Sequence, residues 1–236
     1  MKRSITALLA TAGFLLTTLA ARADEADCIS ARYSAAGKYA GCEAKAAAKG
    51  FADAAFLKCR QKYAATWTKL GTKYPGTSCV GARFTDNGST VTDNLTQLVW
   101  EKKTTDVLSG VNPADRHDVD NTYSWSAVLA GVDADGTAFT DFLDALNSTG
   151  FAGQHDWRLP NIFELQTILS SDAVPCAIAP CLADSSFLPV QPYYHWSSST
   201  VQAIPVGASY VDFGDATTSA ISKDDYGYVR AVRSGS

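Results

Sequence analysis

What the chain lacks narrows it first. Beyond the first 23 residues there is no apolar run of the ~20 residues needed to cross a bilayer. No CxxC or HxxxH spacing is present to hold a tetrahedral metal, and no GxSxG elbow to expose a nucleophilic serine. His117, His155 and His195 are scattered along the sequence and do not suggest a shared metal centre. Internal repeats and low-complexity tracts are absent too. Basic charge is scarce where a polyanion would need it: residues 80–236 carry eight Lys+Arg against nineteen Asp+Glu, net −11. That surface repels phosphate backbones, which argues against nucleic acid as a partner, and it resists sulfated polymers equally.

Residues 1–23 read as an export signal. Lys2 and Arg3 precede the apolar stretch "ITALLATAGFLLTTLA", and Ala21-Arg22-Ala23 supplies small residues at the cut. No cysteine directly follows the cut, so a lipid anchor is not expected. The mature chain is therefore expected to be periplasmic or extracellular. Six cysteines suit such a disulfide-permissive compartment.

Two units follow. Residues 24–79 carry nine Lys+Arg against five Asp+Glu, net +4, and are rich in Ala and Lys. They read as two helices broken near Gly50. Ile29, Tyr33, Ala36 and Ala40 mark one weak apolar stripe; Phe56, Cys59, Tyr63, Trp67 and Leu70 mark a stronger one. Cys28 and Cys42 stand fourteen residues apart on one helix, roughly 21 Å. A disulfide needs Cα atoms within about 7 Å, so that pair cannot bond. Cys42 and Cys59 flank Gly50 almost symmetrically, and the nested pattern Cys42–Cys59 plus Cys28–Cys79 follows. The result is a stapled helical hairpin, read as a spacer or oligomerisation element, with a homo-oligomer as one outcome.

From Val80 the pattern changes. "RFTDNGSTVTDNLTQLVWEKK" predicts a hairpin or meander with Asn-Gly and Asp-Asn turns. "SWSAVLAG" and "AFTDFLDALNSTG" each predict a short helix, the second ending at Gly150. "YYHWSSST", "ASYVDFG" and "YGYVRAVR" predict later strands. Cys176 and Cys181 in "CAIAPC" predict a locally closed disulfide. Residues 80–236 thus form one α+β unit.

"DWRLPNIFELQTIL" predicts architecture rather than catalysis. Asn161 and Glu164 form a capping box ahead of Ile162, Leu165, Ile168 and Leu169, and Pro160 stiffens the approach. Trp157 and Leu159 enter the core from an extended piece while Arg158 points away.

Together with "RFTDNGSTVTDNLTQLVWEK" before it and "HWSSST" and "YVRAVR" after it, "DWRLPNIFEL" resembles the family that includes the C-terminal domain of the Lcl collagen-like adhesin, over about residues 82–233. The resemblance implies a C-type-lectin-like fold, with features shared by formylglycine-generating enzymes, and an extracellular binding module. Some members are adhesins for sulfated polysaccharides. The late cysteine pair of the oxidase relatives is missing here, since nothing follows Cys181, and a net charge of −11 does not suit a sulfated ligand.

The best site candidate is "NPADRHDVDNTYSW". Asp115, Asp118, Asp120 and Asn121 place hard oxygens within seven residues, and Asp118, Asp120 and Asn121 are the candidate calcium ligands. "DADG" at Asp133–Gly136 is a second acidic string, though not an EF-hand, because Gly131 and Phe142 occupy the end ligand positions. Tyr193, Tyr194, Tyr226 and Tyr228 cluster late in the chain; Tyr226 and Tyr228 are the candidates for stacking on a ligand. The expectation is a non-enzymatic, adhesin-like binder of a glycan or cell-surface protein. The alternatives are a hydrolase with a carboxylate pair, which nineteen acids cannot single out, and a structural component of the cell envelope.

Overall fold

A computed structural model describes residues 25–32, 34, 35, 37–39, 41, 42, 45, 46, 53–75, 83–105, 110–169 and 180–235. Residues 1–23, read as an export signal, lie outside the described residues, as do Gly50, Cys79, Cys176 and Tyr33, Ala36 and Ala40 of the first stripe. The protein is α+β, with an N-terminal helical region followed by antiparallel sheets.

Every described position between 25 and 46 is helical (α1), and α2 covers Asp53–Lys73. Cys42 and Cys59 form the expected disulfide, with Cα atoms 5.7 Å apart. Tyr39 meets Tyr63 between the helices, ring centroids 5.1 Å apart. Cys28 and Cys181 are buried, and each belongs to a disulfide of its own.

The expected meander is present as β1 (Phe84–Asp86), β2 (Thr90–Asp93) and β3 (Leu98–Glu101). Gly88, at φ +88°, makes the first turn. The Asp93 carboxylate, accepting from the Leu95 amide at 2.9 Å, shapes the second. A terminal strand (β9, Val232–Ser234) adds to β3, giving the order β1-β2-β3-β9. Two further sheets pair β4 (Tyr123–Ser124) with β8 (Tyr226–Gly227), and β5 (Tyr194–Val201) with β6 (Ile204–Asp212) and β7 (Thr218–Ser222).

"AFTDFLDALNSTG" is helical as expected. Its first part, Ala138–Leu143, is wound as a π-helix before α3 (Asp144–Thr149), and Gly150 ends it at φ +68°. "SWSAVLAG" is not a helix. The amides of Trp125 and Ser126 both donate to the Lys223 carbonyl, at 2.9 and 2.7 Å, and Ala127 donates to Asp135, so those amides have partners outside any local helix. Val128 and Leu129 are left on the surface, Leu129 at 85 % exposure.

Around "DWRLPN" the expectation holds in detail. Arg158 exchanges backbone hydrogen bonds with Val232 at 3.0 and 2.9 Å, which extends that segment and buries Trp157 and Leu159. Both halves of the capping box form at the head of α4 (Ile162–Thr167). Glu164 also receives both guanidinium nitrogens of Arg158, each at 2.7 Å, so one carboxylate caps the helix and clamps the strand before it.

One core cluster packs Trp100, Leu165, Ile168, Phe187, Val211 and Phe213 between the first sheet, α4 and β6. A second gathers Trp125, Phe142, Leu146, Trp157, Leu159 and Trp196. The hairpin docks on the domain through a third, in which Leu95 and Phe163 join Tyr39, Cys59 and Tyr63. Among the described residues, no helix is long and apolar enough to cross a membrane.

Candidate functional site

A buried ionic frame holds two loops together at one face of the α+β unit. Glu101, at the end of β3, is fully buried. One of its carboxylate oxygens lies 2.9 Å from Lys103 Nζ and 2.8 Å from His117 Nδ1, and the other accepts from the Ala231 amide at 2.9 Å. Burial pushes the Glu101 carboxyl up. Lys103 and His117 outweigh this and hold it below the usual carboxylate range. Arg230, also fully buried, donates to the Glu101 carbonyl at 2.7 Å and to the carbonyls of Phe187 and Pro189 at 2.9 and 3.0 Å. Burial lowers its pKa to about 10, which leaves it charged at neutral pH. His117 thus anchors the acidic loop and Arg230 the turn that leads to Gln191 and Tyr193.

The residues expected to act together in the acidic loop face different ways. Asp115 accepts from Thr104 Oγ1 at 2.7 Å and from the His117 amide at 2.9 Å. Burial pushes its carboxyl up, and these hydrogen bonds bring it below the usual range. Asp118 is buried; one oxygen accepts from the Asp120 amide at 2.9 Å and the other has no hydrogen-bond partner among the described residues. Asn121 is also buried, its amide nitrogen bridging the carbonyls of Asn112 and Asp115 at 2.9 and 2.8 Å. Asp120 is half-buried instead, accepting from the Gly110 amide at 3.0 Å and from the Gln191 side chain. Among the described residues, no group of three His, Cys, Asp or Glu side chains stands together as a metal site.

Asp120 belongs with the late tyrosines. A ring series runs outward from buried His195 through half-buried Tyr228 to Tyr193, which is 55 % exposed. His195 and Tyr228 centroids are 5.5 Å apart; Tyr228 and Tyr193 are stacked at 6.1 Å with planes 16° apart. Burial lowers the His195 pKa to about 3, so the innermost ring is uncharged at neutral pH. Burial first, then the nearby Asp120 carboxylate, raises the Tyr228 phenol. Tyr226, 60 % exposed, lies two residues along from Tyr228, on the same side of an extended strand. Gly227 between them faces inward: a Cβ there would meet Trp196 Nε1 at 2.9 Å and the Tyr194 ring at 3.0 Å.

Sequence reasoning missed Gln191 and the frame of Glu101, Lys103 and Arg230. A signal existed, since Glu101 closes the strand "LVWE" and Arg230 interrupts "VRAV". A charge inside a run with both faces covered requires an opposite partner.

The chain also carries a groove of about 340 Å³ between hairpin and domain, one of about 600 Å³ along the hairpin, and one of about 510 Å³ between α4 and the third sheet. None of the three is lined by two carboxylates or contains Asp115, Asp118, Asp120, Asn121, Tyr226 or Tyr228.

The chain belongs to the Lcl C-terminal domain family, whose model matches residues 89–233. The match begins after β1, which pairs with β2 in the same sheet, and leaves out the stapled hairpin. No curated protein and no solved structure matches the chain.

Proposed function

We propose that the chain is an exported, non-enzymatic binding module of the adhesin-like kind. It recognises a glycan or a cell-surface protein through the face built by residues 110–121, 188–194 and 226–228. The observation that carries this reading is the buried Glu101–Arg230 frame, which fixes the acidic loop and the turn that leads to exposed Tyr193. A pre-positioned aromatic face costs little ordering on binding, which is what a recognition surface needs. Family membership and the export signal favour a location outside the cytoplasm. Of the three expected ligands Asp118, Asp120 and Asn121, we assign calcium to the buried pair Asp118 and Asn121, inside the loop and not between protein and ligand. It is supported by a buried Asp118 oxygen without a donor, a group that is costly to leave unsatisfied.

A glycan array probed with the oxidised mature protein, with calcium in one arm and a chelator in the other, tests this reading. Hits lost on Tyr226→Ala plus Tyr228→Ala support the face. A melting temperature lowered by the chelator in the parent protein and unchanged by it in Asp118→Ala supports the cation. A blank array, together with no capture of surface proteins, contradicts the proposal.

A further inference from the structure

We infer that this face takes a neutral pyranose, stacked on Tyr193 and hydrogen-bonded directly to Asp120 and Gln191, without a bridging cation. The inference rests on the binding-module reading above and names its ligand class. Tyr193 offers an open ring backed by Tyr228, and Tyr228 is backed by His195. An aromatic face of this kind packs against the C–H side of a sugar ring while the phenol remains wet.

Beside it, Asp120 and Gln191 form a carboxylate–amide pair, with the Gln191 amide donating to Asp120 Oδ1 and the Gly110 amide to Oδ2. Each carboxylate oxygen has a second lone pair, and the Gln191 amide has a second hydrogen and an oxygen acceptor. Adjacent hydroxyls on a pyranose donate to the carboxylate and accept from the amide, which matches that set.

Charge removes the other sugars. The domain is net −11, and the polar pair at the face carries the Asp120 carboxylate with no cation bonded to it in the described residues. Sulfated or uronic rings would place like charge against it. The two oxygens of Asp120 accept from Gly110 and Gln191, and Asp118 is buried. No cation is therefore required between protein and sugar.

The test is calorimetric titration of the oxidised mature protein, in chelator, with neutral manno-, galacto- and gluco-oligosaccharides and with a sulfated and a uronic oligosaccharide. The expected result is saturable binding of a neutral series, weakened about tenfold or more by Tyr193→Ala and by Asp120→Asn, and retained by Tyr193→Phe. Tyr193 is exposed and Asp120 half-buried, and circular dichroism checks that each variant folds. Binding of the charged sugars alone overturns the ligand class. If Tyr193→Ala still weakens that binding, the binding-face reading survives. Neutral-sugar binding untouched by either variant overturns the site. Absence of any saccharide binding overturns the inference, and the protein-capture experiment then decides the wider reading.

Discussion

Glu164 shows how much one side chain can hold. It completes the cap of α4 through the Asn161 amide at 2.8 Å and receives Arg158 in bidentate fashion. Glu164→Ala removes both contacts and is expected to cost about 1–3 kcal/mol in chemical denaturation, more than Asn161→Ala at about 1 kcal/mol. Glu164→Gln retains the cap and falls between them. His195 gives a pH signature. Its folded pKa, about 3, lies below the unfolded value near 6.5, so the contribution from neutral His195 is complete above pH 6.5. It is lost as pH falls from there towards 3, at about 1.4 kcal/mol per unit. Thermal melts from pH 7 to pH 4 should show that slope, and His195→Gln should flatten it. At this scale the cap was legible because Asn-x-x-Glu before an apolar run is local chemistry. The facing of Asp118 and Asp120 was not, because the turn joining them, with the Asp120 amide on Asp118, is not the extended loop that would align them.

Elements show the same division. The meander β1–β3 and the Gly150 stop were legible from turn residues and periodicity. β4 and β7 escaped, the first because it has two residues, the second because "TSAIS" has little of the bulky alternation that marks a half-buried strand. "SWSAVLAG" has helix composition, yet its first amides are held by Lys223, a partner nearly a hundred residues away in sequence. The ionic frame makes the sharpest element-scale prediction. Glu101→Gln leaves buried Lys103 without a counter-charge and is expected to destabilise by about 3–5 kcal/mol. Arg230→Gln should release the 187–189 turn, read as faster amide exchange at residues 187–194. Gly227→Ala is expected to shift Tyr194 or Trp196 and destabilise the β4–β8 pair, visible as altered near-ultraviolet circular dichroism.

For the whole molecule, two units meet through a small shared core. The disulfide between Cys42 and Cys59, seventeen residues apart, closes a short loop, and its loss is expected to cost about 3 kcal/mol. Because the core around this disulfide includes none of Tyr193, Tyr226 or Tyr228, Cys42→Ser plus Cys59→Ser should lower thermal stability and leave ligand affinity unchanged. The N-terminal helical region was legible from its Ala- and Lys-rich composition. The proposed face was legible only in part: Asp120, Tyr226 and Tyr228 stood out as residue types, while Gln191 meets Asp120 only through folding. The most direct measurement is NMR mapping of the best array ligand on isotope-labelled mature protein. Shifted amides are expected in residues 110–121, 189–194 and 225–229. Shifts confined to the hairpin, or to the groove between α4 and the third sheet, would contradict it.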